Sequence, residues 1–256
     1  MRIVLLVKHV PDTEEPRFLD TDTGLMDRSG ECGLDEINSR ALTWALELRR
    51  QTRGEITVVT MGPDAATKAL RQALAIGADK SVHISDDALA GSDALQTSAV
   101  LAAALQRIGF DLVVAGDAAT DGRGGIVPAM IAERLGVPHL THASSATLAG
   151  DELTTTRDDG DTVATVTAGL PAVLSLRETI AEPEVPGFRG IMGAKRKPRQ
   201  EVGLAELGVA THTPVWTTTS VVPRPARSQG QLITNDDGTA ARQIADYLAS
   251  QQLIGK

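Results

Sequence analysis

Leu112-Val113-Val114-Ala115-Gly116-Asp117-Ala118-Ala119-Thr120-Asp121-Gly122-Arg123-Gly124-Gly125-Ile126-Val127 joins three kinds of sequence in immediate succession. Leu112 to Ala115 is a short apolar run suited to a strand buried on both faces. Gly116 to Ile126 follows with four glycines and little bulk. Val127, Met130, Ile131 and Leu135 then recur at helical spacing, so a helix is expected to begin near Gly125. Strand, glycine-rich turn and helix N-terminus together present backbone N–H groups to an anion. The turn lacks the Gly-Lys-Ser/Thr of a Walker loop and the glycine spacing of a dinucleotide fingerprint.

The same alternation extends back to the start of the chain. Residues 2–8, Ile56 to Met61 and Ser81 to Ser85 read as further strands. Ile37, Ala41, Trp44, Ala45 and Leu48 mark one helix, and Ala66, Ala69, Leu70, Ala73 and Leu74 a second, with Asp64 as its expected cap. A third helix runs from a Ser92-Asp93 cap to about Ile108. Strands alternating with helices imply an α/β fold with a doubly wound parallel sheet. Ligands in such sheets bind beyond the carboxyl ends of the strands, where Lys8-His9, Met61-Gly62 and Gly116 to Gly125 all fall. Between strand one and helix one, Pro11 to Gly33 is a long polar loop, which in a compact domain is usually functional or packed on a partner.

After Pro138 the runs His139–Thr147, Glu152–Arg157, Thr162–Thr167 and Ala172–Leu176 are rich in Thr and Val, and the reading is an added antiparallel hairpin element. Residues 181–190 form an irregular loop carrying Phe188, and Lys195 to Arg199 is a dense basic run read as solvated. Val209 to Gly238 reads as an extended C-terminal arm ending in a helix over Ala240–Leu253. The expected organisation is a nucleotide-binding α/β domain over residues 1–200, with the arm and helix of 201–256 packing on a partner.

Composition narrows the class. The formal charge of −8 on 256 residues argues against nucleic-acid binding. A single cysteine, Cys32, excludes a disulfide framework. No apolar run reaches the roughly 18 residues of a membrane span, and the first strand is too short for a signal-peptide core, so a cytoplasmic bacterial protein with no direct membrane insertion is expected. The histidines have no metal-ligand spacing, and Asp12, Asp117 and Asp121 read as turn caps, with a magnesium-binding carboxylate cluster as the lesser alternative. No metal site is expected, and no catalytic residue stands out.

Several ordered motifs resemble the β subunit of electron-transfer flavoproteins, in the form found in high-GC Gram-positive bacteria. They are Val7-Lys8-His9-Val10-Pro11-Asp12, Asp35-Glu36-Ile37-Asn38, Gly62-Pro63, Ala73 to Asp79, the Gly116–Val127 turn, and Glu182-Pro183 leading to Ile191-Met192. The likeness covers nearly the whole chain. It implies an adenine-nucleotide α-hydrolase-like fold and a heterodimer with an α subunit that holds the redox FAD. It further implies AMP bound structurally in this chain, at Leu6, Cys32, Gly33, Leu34, Asp35, Met61 and Gly116 through Val127. Phe188 occupies the anchor position of the family's recognition loop, so Glu182, Pro183, Phe188, Ile191 and Met192 are expected to meet partners. Those partners would be acyl-CoA or related flavin dehydrogenases as donors and a quinone oxidoreductase as acceptor. Thr13, Arg157 and Asp158 stand where relatives contact the flavin domain.

The chain departs from the family pattern within the turn. Arg123, Gly124, Gly125 and Ile126 replace acidic and amide residues of many relatives, so backbone N–H groups must carry more of the anion. Electron-bifurcating relatives, which hold a second FAD here, usually carry Asp and Gln where Arg123 and Ile126 stand. Two alternatives stay open: that bifurcating form, and a freestanding adenine-nucleotide sensor or adenylating enzyme. The adenylating version lacks its Ser-Gly-Gly-x-Asp-Ser loop after strand one.

Overall fold

A computed structural model describes residues 1–215, 218–222, 225, 230, 232–233 and 238–254, so part of the expected arm lies outside the described residues. The chain divides into two units, residues 1–221 and 222–256.

The first unit begins with β1 (Arg2–Leu6), followed by β2 (His9–Pro11), β3 (Cys32–Leu34) and α1 (Glu36–Thr52). Next come β4 (Glu55–Met61), α2 (Thr67–Ile76), β5 (Lys80–Ile84), α3 (Ala94–Ile108), β6 (Leu112–Gly116) and α4 (Val127–Leu135). Beyond them lie β7 (His139–Ala143), β8 (Ser145–Ala149), β9 (Glu152–Asp158), β10 (Val163–Gly169) and β11 (Ala172–Leu176). The unit closes with α5 (Phe188–Ala194), β12 (Arg199–Val202) and α6 (Leu204–Leu207). The second unit contains α7 (Ala240–Ser250), on which Ile244 and Tyr247 are exposed.

Seven strands form one all-parallel sheet in the order β12-β5-β4-β1-β6-β11-β7. Its central strands are apolar on both faces because helices cover both. One core layer joins Ile3, Leu5, Ile56 and Leu174 to α1 and α2, and the other joins Val4, Val59, Val113 and Val173 to α3 and α4. A fully buried Leu or Ile in such layers contributes about 1.5–3 kcal/mol relative to exposure. Asp35 and Asp93 cap α1 and α3, their carboxylates accepting from Ile37 N–H and Gln96 N–H. α4 ends on Gly136 in the left-handed region, where glycine is unstrained.

The structure departs from the sequence expectations in several places. His139–Ala143 and Ala172–Leu176 do not belong to the antiparallel element. Both pair parallel in the main sheet, and β11 is buried at every position, as an inner parallel strand requires. Of the runs after Pro138, β8, β9 and β10 form the antiparallel element, which Trp44 of α1 anchors by donating its indole N–H to the Ala146 carbonyl at 3.1 Å. The basic run is not simply solvated. Lys197 Nζ donates to the Leu74 and Ala78 carbonyls at 2.8 and 2.6 Å, closing the end of α2, and burial pushes its pKa down. Arg199 then opens β12, an edge strand that carries the sheet past residue 200. Asp64 is not the cap of α2: it is the first residue of a short 3-10 turn ahead of that helix. α4 starts at Val127, with Pro128 in its first turn, rather than at Gly125.

Candidate functional site

β1 is the point where the sheet reverses direction of winding, with β4 on one side and β6 on the other. The crevice outside the carboxyl ends of β1 and β6 is therefore the expected ligand position. Lys8 and the Gly116–Ile126 turn emerge on its two sides.

The turn is held by contacts that leave many of its donors free. Asp117 N–H donates to the Leu176 carbonyl at 2.9 Å and Arg123 N–H to Ala119 at 2.8 Å. Thr120 donates its N–H to the Asp35 carboxylate at 2.8 Å. By contrast, the N–H groups of Ala118, Ala119, Asp121, Gly124, Gly125 and Ile126 have no acceptor among the described residues. Gly125 has φ +67°, and a Cβ there would sit 3.3 Å from His142 Cε1 and 3.4 Å from the Asp117 carbonyl. A Cβ at Gly124 would meet nothing within 4 Å. Gly116 packs so tightly on α1 that a Cβ there would sit 2.6 Å from Ile37 Cγ2.

Asp35 does two jobs at once. Completely buried, it caps α1 and receives Thr120, so the start of α1 is bolted to the glycine-rich turn. Burial pushes its carboxyl above the usual carboxylate range, against the opposing pull of the Thr120 and Ile37 N–H groups. Lys8 N–H is held by Asn38 Oδ1 at 2.8 Å, fixing the exit of β1 to the same helix.

Cations surround the turn. The Asp121 side chain, 2% exposed, lies between Lys8 Nζ at 2.7 Å and Arg28 Nη2 at 2.5 Å. Arg17 donates to the Thr120 carbonyl. Loop 12–31 is thus clamped across the turn by two arginines from within it. Arg123, at φ +51°, is exposed and has no ion-pair partner among the described residues.

The structure brings together most of the residues singled out for the nucleotide. β3, carrying Cys32, Gly33 and Leu34, pairs antiparallel with β2 directly after β1. Leu34 N–H is taken by Gln72 Oε1 at 2.7 Å. Met61 ends β4, next to the end of β1 that holds Leu6. Leu6 and Cys32 are themselves buried, so at these two positions the side chain is core, and burial pushes the Cys32 thiol pKa up. Sequence reading placed Lys8 at this edge of the sheet but missed Arg17, Arg28 and Asn38 as parts of the site. The polar loop they clamp was visible as a loop, but its long-range ion pairs have no local pattern.

The residues singled out for partners form a second region. Arg40 of α1 donates to the Ala181 carbonyl at 3.0 Å and reaches Glu182 at 3.4 Å, and Thr43 Oγ1 accepts from Glu184 N–H at 3.0 Å. These bonds lay residues 181–184, including Pro183, along α1. The segment beyond Glu184 is not an irregular loop throughout: Phe188 begins α5, so Phe188, Ile191 and Met192 share one helical face by their i, i+3, i+4 spacing. All three are exposed, Phe188 by 79%. Gly190 lies against the Ala75 carbonyl of α2, a closeness that only glycine permits.

Arg157 and Asp158 are at the tip of the β9–β10 hairpin. Arg157 pairs with Asp159 at 2.9 Å, Asp158 caps Gly160 N–H at 2.9 Å, and Arg177, just past the end of β11, donates to the Asp158 carbonyl. The tip is thereby held near the carboxyl ends of the main sheet. Thr13 is exposed in the loop after β2. Among the described residues no helix is long and apolar enough to cross a membrane.

Comparison with known proteins places this geometry. The model of the electron transfer flavoprotein domain matches residues 23–207. The electron transfer flavoprotein subunit beta of Mycobacterium bovis is 44% identical over 264 residues, spanning 98% of this chain and 99% of the relative. The corresponding subunit of Mycobacterium leprae is also 44% identical, over 98% and 99%. A caffeyl-CoA reductase-Etf complex subunit of Acetobacterium woodii is 34% identical over 98% and 97%.

Proposed function

The chain belongs to the electron transfer flavoprotein family as a β subunit, and from that premise we propose that it binds AMP at the Gly116–Val127 turn and clamps an FAD-bearing α subunit. The observation that supports this most directly is the set of N–H groups at Ala118, Ala119, Asp121, Gly124, Gly125 and Ile126 that no acceptor among the described residues takes. They sit at a helix N-terminus, at the reversal point of the sheet, with Lys8, Arg28 and Arg123 close by in the same region. A phosphate needs those elements. Gly124 and Gly125 allow the close approach of a ligand that bulkier residues would fill.

In this reading the β subunit has no catalytic residue of its own. AMP acts as a structural group that completes the turn, and FAD, supplied with the α subunit, carries the electrons. Phe188, Ile191 and Met192 supply the small apolar face on which an acyl-CoA or related flavin dehydrogenase docks, with electrons leaving to a quinone oxidoreductase. An exposed aromatic on a short, rigid helix suits a transient hot spot. Thr13, Arg157 and Asp158 face the flavin domain, and the second unit, with its amphipathic α7, packs on the α subunit.

The alternative is an electron-bifurcating form with a second FAD in place of AMP. A relative in a caffeyl-CoA reductase-Etf complex keeps that reading in view, whereas Arg123 and Ile126 speak against it. Purify the α/β complex, denature it and quantify released nucleotides by mass spectrometry. One AMP and one FAD per complex is the expected result, and two FAD with no AMP would overturn the AMP assignment. A β chain that never associates with its α partner would overturn the whole reading.

A further inference from the structure

Asp64, His83 and Glu201 are far apart in the chain yet converge at the outer side of the sheet, and we propose that they bind a divalent transition-metal ion of the Zn2+ class. His83 on β5 and Glu201 on β12 are register partners, so their side chains stand side by side on one face. Asp64 opens the 3-10 turn that follows β4. One potential ligand atom from each of the three lies within 4.8 Å of the others.

The state of His83 is what makes this more than two neighbouring carboxylates. The residue is 4% exposed, and its Nε2–H donates to the Gly62 carbonyl at 2.8 Å. That bond fixes the tautomer and leaves the lone pair on Nδ1, which has no partner among the described residues. A histidine oriented through its other nitrogen by a backbone carbonyl is the arrangement metal-binding imidazoles use. Both carboxylates are exposed, and neither side chain has an ion-pair or hydrogen-bond partner among the described residues. An ion can therefore reach them directly from solvent.

The donor set selects the ion. One imidazole with two carboxylates suits Zn2+, Co2+, Ni2+ or Cu2+, whereas Ca2+ and Mg2+ favour all-oxygen shells. Around zinc at about 2.0–2.2 Å, three protein ligands leave a fourth position for water. The three residues lie on β5, β12 and the 3-10 turn after β4, and none of them is among the residues assigned to the nucleotide.

The test uses the full-length chain stripped with a chelator. Co2+ titration should give visible d–d absorption saturating at one equivalent and abolished by one equivalent of Zn2+. Zn2+ should also raise the thermal midpoint of the wild type, because it binds the folded state selectively. Asp64→Asn and Glu201→Gln, both at exposed positions, should leave the circular dichroism unchanged and weaken Zn2+ binding by about tenfold or more each. No saturable binding by the wild type, or binding unaltered in the double variant, would overturn the proposal.

Discussion

Asp35 and Thr120, 85 residues apart, are joined by a 2.8 Å hydrogen bond from the Thr120 N–H to a completely buried carboxylate. The same carboxylate caps α1, so one side chain sets both the helix start and the glycine-rich turn. Asp35→Ala removes the cap and leaves the Thr120 N–H without its acceptor. The expected loss is about 2–4 kcal/mol, from a cap of about 1 and an unsatisfied buried donor of about 1–3. Urea denaturation measures it, and a loss under about 1 kcal/mol would show that the turn is held elsewhere.

Burial raises the Asp35 pKa, so the folded chain holds that proton more tightly than the unfolded chain. Stability from this group is then fully present below the ordinary carboxylate pKa and is lost as pH rises through the raised folded value. Asp35→Asn keeps a capping oxygen and cannot titrate. From about pH 4 upward, the stability of wild type relative to Asp35→Asn should fall and then level. A difference that grows with pH would mean that the N–H bonds outweigh burial.

Three glycines in the turn separate packing from ligand approach. Gly116→Ala drives a Cβ to 2.6 Å from Ile37 and 2.9 Å from Asn38, and should cost about 1–3 kcal/mol as the start of α1 shifts. Gly124→Ala meets open space, so stability should stay within about 0.5 kcal/mol. Gly125→Pro cannot reach the +67° φ and deletes an N–H, so the α/β complex should lose the AMP proposed for this turn. Thermal melts read the first two and nucleotide release the third. Unchanged AMP in Gly125→Pro would place the nucleotide elsewhere.

The parallel half of the fold was readable because its signals are local: apolar runs on β1, β4 and β6, an Asp cap before α3, and glycines after β6. β11 escaped because its composition matches the neighbouring antiparallel strands, and only its burial on both faces reveals it. β12 escaped because an edge strand needs few apolar residues, and Arg199-Gln200-Glu201 looks solvated. At the candidate site, the turn was legible as a string of glycines. Its clamps, Lys8 and Arg28 on Asp121, depend on closure of loop 12–31, and chain proximity carries no trace of that.

That closure makes its own prediction. Asp121 holds Lys8 and Arg28 while almost fully buried, so Asp121→Asn releases both cations and loosens the loop. Because Lys8 and Arg28 stay partly solvated, the cost should be about 1–2 kcal/mol, below the roughly 3–5 of breaking a fully buried pair. Limited trypsin digestion should then cut faster after Arg17 or Arg28 than in wild type. Equal cleavage rates would mean that β2–β3 pairing and the Arg17–Thr120 bond secure the loop without Asp121.

The α5 face gives the sharpest separation of docking from folding. Phe188 is 79% exposed, so Phe188→Ala should change stability by less than about 0.5 kcal/mol. If Phe188 is a hot spot, truncating it should raise the KM for a dehydrogenase donor by about thirtyfold, the equivalent of about 2 kcal/mol, with bound AMP and FAD unchanged. Gly190→Ala should do the reverse in origin: its Cβ collides with the Ala75 carbonyl, lifting α5 from α2 and weakening docking through a displaced helix. Combining the two variants tests this directly. If α5 is the docking element, the double variant should lose little more than either single one, because Gly190→Ala has already moved Phe188 out of place. Fully additive losses would mean that Phe188 and the α5–α2 contact serve different functions.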